Sequence, residues 1–288
     1  MPDLAPIYGL LRSILPLESL EPRFMQQAFL GLILLAPMTA AMGVQVVNFR
    51  LAFFSDAISH STFTGVALGL LLGADGRLTM ILFGLVVGLG IMAAGRRTSL
   101  STDTVIGVFF SAAVAFGLAV VSRDQRVARE MMGFIYGDIL TISEAEILWL
   151  AALFAALAVF QAWGYNRLLY VGLNPVLATA HEVKVRAYQY LFAGFLSLIV
   201  IFSVWTVGLL LVTALLVVPA AGARNLAHTA GGMFWWALAI GSSSAVAGLL
   251  ISAQPWARTA TGATIVLCAS AWFLASALVP LVRDRIRA

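Results

Sequence analysis

Nine stretches of this chain are apolar enough to read as helices that cross a lipid bilayer, and the polar residues collect between them. They are residues 24–47, 56–74, 78–94, 104–121, 145–163, 188–205, 207–221, 233–251 and 260–281. Several approach the roughly 20 residues that a helix needs to cross the hydrocarbon core. Segments 188–205 and 207–221 meet around Thr206–Gly208, which predicts either a tight hairpin or a broken helix. Long apolar runs argue against a closed barrel, whose strands are short and alternate. The pattern therefore predicts an all-α, polytopic membrane protein with about eight to nine transmembrane helices.

Two interruptions are too polar to cross. Residues 122–143 carry Arg123, Asp124, Arg126, Arg129, Glu130 and Asp138. Residues 165–187 carry Asn166, Arg167, Asn174, Pro175, His181, Glu182, Lys184 and Arg186. Within the second, Pro175 suits a first helical turn and Asn174 an N-cap, which predicts a short helix over 175–182. A compact helix between two spans suits docking to another protein, and it equally suits lying on the membrane surface. Residues 1–23 hold Pro2, Pro6, Pro16 and Pro22 and lack the basic start and unbroken apolar core of a cleavable signal. They predict a short interfacial helix over 7–15. The chain is thus divided into an interfacial segment at 1–23, a membrane domain at 24–282 that includes the cytoplasmic stretch 165–187, and a cytoplasmic tail at 283–288. Gly65, Gly69 and Gly73 recur every four residues, and Gly84 and Gly88 repeat the spacing, as expected where helices pack closely in lipid.

Composition agrees. Of the 288 residues 61% are hydrophobic and 10% charged, against about 25% charged in soluble domains. Cys268 is alone, so neither an internal disulfide nor a cysteine metal cluster is available. The net charge of +4 comes from Arg residues between apolar runs, with Lys184 the one lysine, and no basic run suggests nucleic acid. Placing Arg50, Arg96, Arg97, Arg167, Lys184, Arg186, Arg224, Arg283, Arg285 and Arg287 inside leaves seven basic residues outside. The positive-inside rule favours that orientation in a cytoplasmic (inner) membrane, with the C-terminus inside.

Against this background Asp56 and His60 stand out. An ionisable pair in a membrane segment is a candidate functional site, and four-residue spacing puts both on one helical face. Carboxylate oxygen and imidazole nitrogen are ligands for a divalent metal. Capping by Ser55 or Asp56 is the plainer explanation. It does not account for Ser59, Ser61, Thr62 and Thr64, which prolong the polarity and suit the lining of a pathway. His181 falls on the short helix and His228 in a short loop, and both read as surface residues; Asp103 reads as part of a helix start. Asp138, in Tyr136-Gly137-Asp138, is harder to assign. A Gly-x-x-x-x-Gly-Lys-[Ser/Thr] loop is absent, so ATP hydrolysis through such a loop requires a separate chain.

The segment Phe54-Ser55-Asp56-Ala57-Ile58-Ser59-His60-Ser61, followed by Gly65-Val66-Ala67-Leu68-Gly69, resembles the permease subunits of metal-ion ABC importers for zinc, manganese or iron. In the same order come Asp103-Thr104-Val105-Ile106-Gly107, Tyr136-Gly137-Asp138, Asn174-Pro175-Val176-Leu177-Ala178 with His181, and Leu215-Leu216-Val217-Val218-Pro219 with Arg224. The resemblance implies a non-catalytic homodimeric permease with no permanent cofactor. Its partners would be cytoplasmic ABC ATPase subunits and an extracytoplasmic metal-binding protein. It also implies that Asp56 and His60 line the metal path, and that Asn174, Pro175, Ala178, His181 and Glu182 lie on the helix that couples to the ATPase. Ser55 replaces the usual Gly, Thr62-Phe63-Thr64 lacks the Pro of manganese-type members, and Ser111 stands where some zinc-type members have His. The wording around Gly65 is nearest to zinc-type members, which puts zinc ahead of manganese and iron. An ion-coupled secondary metal transporter, with the pair as a proton relay, is the main rival. A metalloenzyme would want a third ligand and a general base, and no such cluster is apparent.

Overall fold

The structure, a computed structural model, describes residues 4–123, 139–257 and 259–287. Its helices are α1 (Ala5–Ile14), α2 (Arg23–Phe49), α3 (Phe54–Leu72), α4 (Gly76–Gly95), α5 (Thr102–Val121), α6 (Glu144–Leu173), α7 (Pro175–Ala180), α8 (Val185–Val207), α9 (Leu209–Leu226), α10 (Ala230–Ser252) and α11 (Thr261–Arg287). All nine segments anticipated as spans are helical. Seven helices are long and apolar enough to cross a membrane, and α9 contains a shorter apolar stretch, Leu211–Leu226. Residues Tyr136, Gly137 and Asp138, with most of the polar stretch 122–143, lie outside the described residues.

The described residues form two compact units. One comprises those of Met1–Val44, Asp138–Ala156 and Ala214–Ala288. Here α1 covers most of the short helix expected over 7–15, with Leu4, Tyr8 and Leu11 buried and Leu10 62% exposed. Tyr8 Oη donates to Glu144 Oε1 at 3.2 Å, and Arg23 pairs with the same carboxylate at 2.5 Å while its guanidinium stands over the Tyr8 ring. Burial pushes the Tyr8 phenol above its ordinary range. Elsewhere in this unit helices touch backbone to backbone. A Cβ at Gly43 would lie 1.9 Å from the Leu216 carbonyl oxygen, and one at Gly248 would lie 2.5 Å from Ile265 Cα.

The other unit comprises the described residues of Gln45–Gly137 and Leu157–Thr213. Its centre is α3, packed against α4, α5 and α8. This helix is not among the seven apolar ones. Twelve of its 19 residues are buried, and five of those are hydroxyl-bearing: Ser55, Ser59, Ser61, Thr62 and Thr64. Hydroxyls within a helix can bond back to a carbonyl one turn earlier, and several of these do. Ser61 donates to the Ala57 carbonyl at 2.5 Å, Thr62 to Ser59 at 2.5 Å, and Thr64 crosses to the Ala113 carbonyl of α5 at 2.8 Å. Gly65 and Gly69 abut α4 at Thr79, and Gly117 of α5 abuts Thr64. Gly88 admits Ser197 of α8, and Gly84 admits Ile201.

Gly73 departs from the packing expectation. Nothing lies within 4 Å of a Cβ built there. Its φ of 65° places it in the left-handed region. Ala74 N–H reaches the Gly69 carbonyl at 2.9 Å and Gly73 N–H the Leu70 carbonyl at 3.3 Å, a Schellman closure of α3. The short helix also ends sooner than expected, at Ala180 rather than Glu182. Glu182 has φ 58°, and Val183 N–H reaches the Ala178 carbonyl at 3.0 Å, so the same closure stops α7 with Glu182 in the glycine position.

The contact at Thr206–Gly208 is a break of a single residue. Gly208 lies at φ 84° and ψ 169° between α8 and α9, a region essentially restricted to glycine. Gly208→Ala is therefore expected to destabilise the protein by about 1–3 kcal/mol. A lowered thermal unfolding midpoint of the detergent-purified protein checks this, and an unchanged midpoint contradicts it.

Candidate functional site

The first turns of α3 present Asp56 and His60 on one face, as four-residue spacing requires. Capping does not explain Asp56. The N-cap position is Phe53, which makes no side-chain cap bond, and Ser55 Oγ donates to the Ala52 carbonyl at 3.3 Å. Asp56 is half-buried, and its Oδ1 accepts from Thr213 Oγ1 of α9 at 2.6 Å. The distance is that of a charge-assisted O–H···O⁻ bond. His60, also half-buried, meets Phe110 of α5 edge to face, with ring centroids 4.9 Å apart. Between them Ser59 is fully buried, and its hydroxyl has no hydrogen-bond partner among the described residues. A carboxylate, an imidazole and a hydroxyl thus lie within the first two turns of one helix.

Sequence reasoning missed Thr213 and Phe110. Thr213 had a signal, since it is the one hydrogen-bonding side chain between Gly208 and Pro219. Phe110 had none, being one of many aromatic residues in apolar helices. The other titratable candidates stay apart. Among the described residues no three of His, Cys, Asp and Glu gather where they would hold a metal ion. The described residues therefore bring two side chains of that kind, Asp56 and His60, to this face. Asp103 is exposed in the first turn of α5, where Ser101 is the N-cap and accepts from Thr104 N–H at 3.2 Å. Cys268 is a free, partly buried thiol in α11. His181 is exposed and stands near the Tyr170 ring.

The second expected site is built by α7. Asn174 Oδ1 accepts from Val176 N–H at 3.0 Å and Leu177 N–H at 3.1 Å, as an N-cap should, and Pro175 occupies the first turn. Ala178 is buried and anchors the helix, while His181 and Glu182 are exposed beyond its end. The outward side is apolar, with Val176 78% and Leu177 55% exposed. Beside it opens a groove of about 1040 Å³ whose lining includes Arg96, Val176, Thr179, Lys184 and Arg186 and no acidic residue.

Comparison with known proteins bears on the family of the chain as a whole. The family model described as "ABC 3 transport family" matches residues 21–280. The chain is 28% identical over 249 residues to the high-affinity zinc uptake system membrane protein ZnuB of Haemophilus influenzae, covering 86% of this chain and 95% of that one. It is 30% identical over 259 residues to the manganese transport system membrane protein MntC of Halalkalibacterium halodurans, covering 89% and 87%. Among solved structures, a chain of PsaBC from Streptococcus pneumoniae in complex with Fab superposes with a TM-score of 0.76 at 26% identity, covering 94% of this chain and 95% of that one.

Proposed function

Since the chain belongs to the ABC 3 transport family and is a metal-ion ABC importer permease of the multi-pass cell membrane, we propose that it carries zinc along a path gated by Asp56 and His60. The observation behind this reading is the placement of that pair on α3, a polar helix enclosed by its neighbours and joined to α9 through Thr213. A pass-through site must bind strongly enough to admit the ion and weakly enough to release it. Two ligands from one chain suit that need, and a homodimer brings four to a shared path. Imidazole favours zinc over the harder manganese ion. Manganese is the second reading, supported by the relative named for manganese transport at 30% identity.

Energy comes from a separate ABC ATPase, because this chain has no phosphate-binding loop of its own. The proposed contact is α7, on the cytoplasmic side, with Asn174 and Pro175 shaping the helix and Ala178 anchoring it. Val176 and Leu177 are the outward apolar surface, with His181 and Glu182 at the rim. An extracytoplasmic metal-binding protein delivers the ion on the opposite side. ATP-driven closure of the ATPase pair then moves α7, and with it the α3 gate.

Radiolabelled zinc and manganese uptake by proteoliposomes holding permease, ATPase and binding protein tests the cargo. Uptake should require ATP and persist without a proton gradient. Transport by the permease alone, driven by a proton gradient, would sink the reading in favour of the secondary transporter. Val176→Asp with Leu177→Asp should reduce the ATPase retained on affinity-purified permease by about tenfold or more. Equal retention would exclude α7 as the contact.

A further inference from the structure

The bond between Thr213 and Asp56 links residues 157 positions apart and engages one of the two carboxylate oxygens. Thr213 is not placed there loosely. Its neighbours Leu211 and Val212 are buried, and α9 begins directly after Gly208. The last turn of α8 is held in turn, since the Arg77 guanidinium stacks over the Trp205 ring at 4.2 Å. The hydroxyl is therefore presented to Asp56 from a fixed direction by packing rather than by a mobile side chain.

A carboxylate oxygen that accepts a short O–H bond has part of its donor density committed to that bond. Asp56 then offers a cation chiefly its other oxygen, so it approaches as a monodentate ligand. That suits zinc, which takes few ligands in a tetrahedral arrangement and accepts nitrogen readily. It is poorer for manganese, a harder ion that favours oxygen donors in six-fold sets, where a bidentate carboxylate helps. We propose that Thr213 is a positioning residue that keeps Asp56 monodentate and so biases the site towards zinc over manganese. The inference rests on the reading of Asp56 and His60 as cargo ligands.

The test is equilibrium binding of zinc and of manganese, each alone, to the purified permease–ATPase complex. Thr213→Val should weaken zinc binding about tenfold while leaving manganese unchanged or tighter, so the preference for zinc falls by at least that factor. Thr213→Ser, which keeps the hydroxyl, should restore the zinc preference to within about twofold. If Thr213→Val does not assemble, Thr213→Ala removes the hydroxyl with less bulk and is read the same way. An unchanged zinc-to-manganese ratio in the variant lacking the hydroxyl overturns the inference, as does equal weakening of both metals. Asp56→Ala separates the two levels. If it binds zinc as the unsubstituted complex does, the cargo-ligand reading falls and this inference with it. If it loses binding while Thr213→Val keeps the wild-type ratio, only the role of Thr213 falls.

Discussion

Asp56→Ala is expected to lower ATP-driven zinc uptake by at least about a hundredfold while leaving the permease folded and bound to its ATPase. The size follows from what is removed. A carboxylate offsets the dehydration of a divalent cation at lipid depth, where few other groups do so, and each 1.4 kcal/mol lost is a factor of about ten. Survival of the fold follows from what remains. Among the described residues the side chain of Asp56 makes one hydrogen bond, to Thr213, and a freed threonine hydroxyl in a helix can donate back to a carbonyl one turn earlier. His60→Ala should lose uptake likewise, since its ring makes an edge contact with Phe110 and its removal opens a small void rather than a buried unpaired charge. Uptake by proteoliposomes checks both variants, alongside size-exclusion profiles of the complex. Wild-type uptake in either variant would remove that residue from the path.

The second large effect is structural. Gly43→Val is expected to bring the amount of monodisperse protein extracted from membranes below about a tenth of wild type. A Cβ at Gly43 would sit 1.9 Å from the Leu216 carbonyl oxygen and 2.9 Å from its carbon, and both are backbone atoms. Rotating a side chain cannot relieve that overlap, so the whole turn must move. Overpacking of this kind costs about 1–3 kcal/mol when side chains yield and more when they cannot. Gly107→Val is the control, because nothing lies within 4 Å of a Cβ there. Fluorescence-detected size exclusion compares the two, and equal yields would contradict the packing argument.

Much of this was legible in the sequence, for reasons that are local. Long apolar runs located nine of the eleven helices described, and Asn174-Pro175 located the start of α7. Spacing alone put Asp56 and His60 on one face. What the sequence hid depends on distant partners or on backbone angles. The Thr213 bond closes over 157 positions, and the Arg77–Trp205 stack joins the starts and ends of different helices. Gly73 shared the four-residue rhythm of Gly65 and Gly69, yet it serves a turn while they serve packing. Glu182 took a left-handed position usually given to glycine, which no composition rule would have assigned.

The hydroxyl-rich character of α3 also bears on how the protein is made. A helix carrying Asp56, His60 and five buried hydroxyls partitions poorly into lipid by itself, and α3 is not among the helices apolar enough to cross a membrane. The α4 helix that follows it after Leu72 is far more apolar, and α5 after that. Membrane insertion of α3 must therefore be completed by its successors, with Gly65 and Gly69 closing on α4 and Thr64 finding the Ala113 carbonyl of α5. During synthesis α3 is a passenger, and the proposed gate exists only once the two helices after it have been delivered.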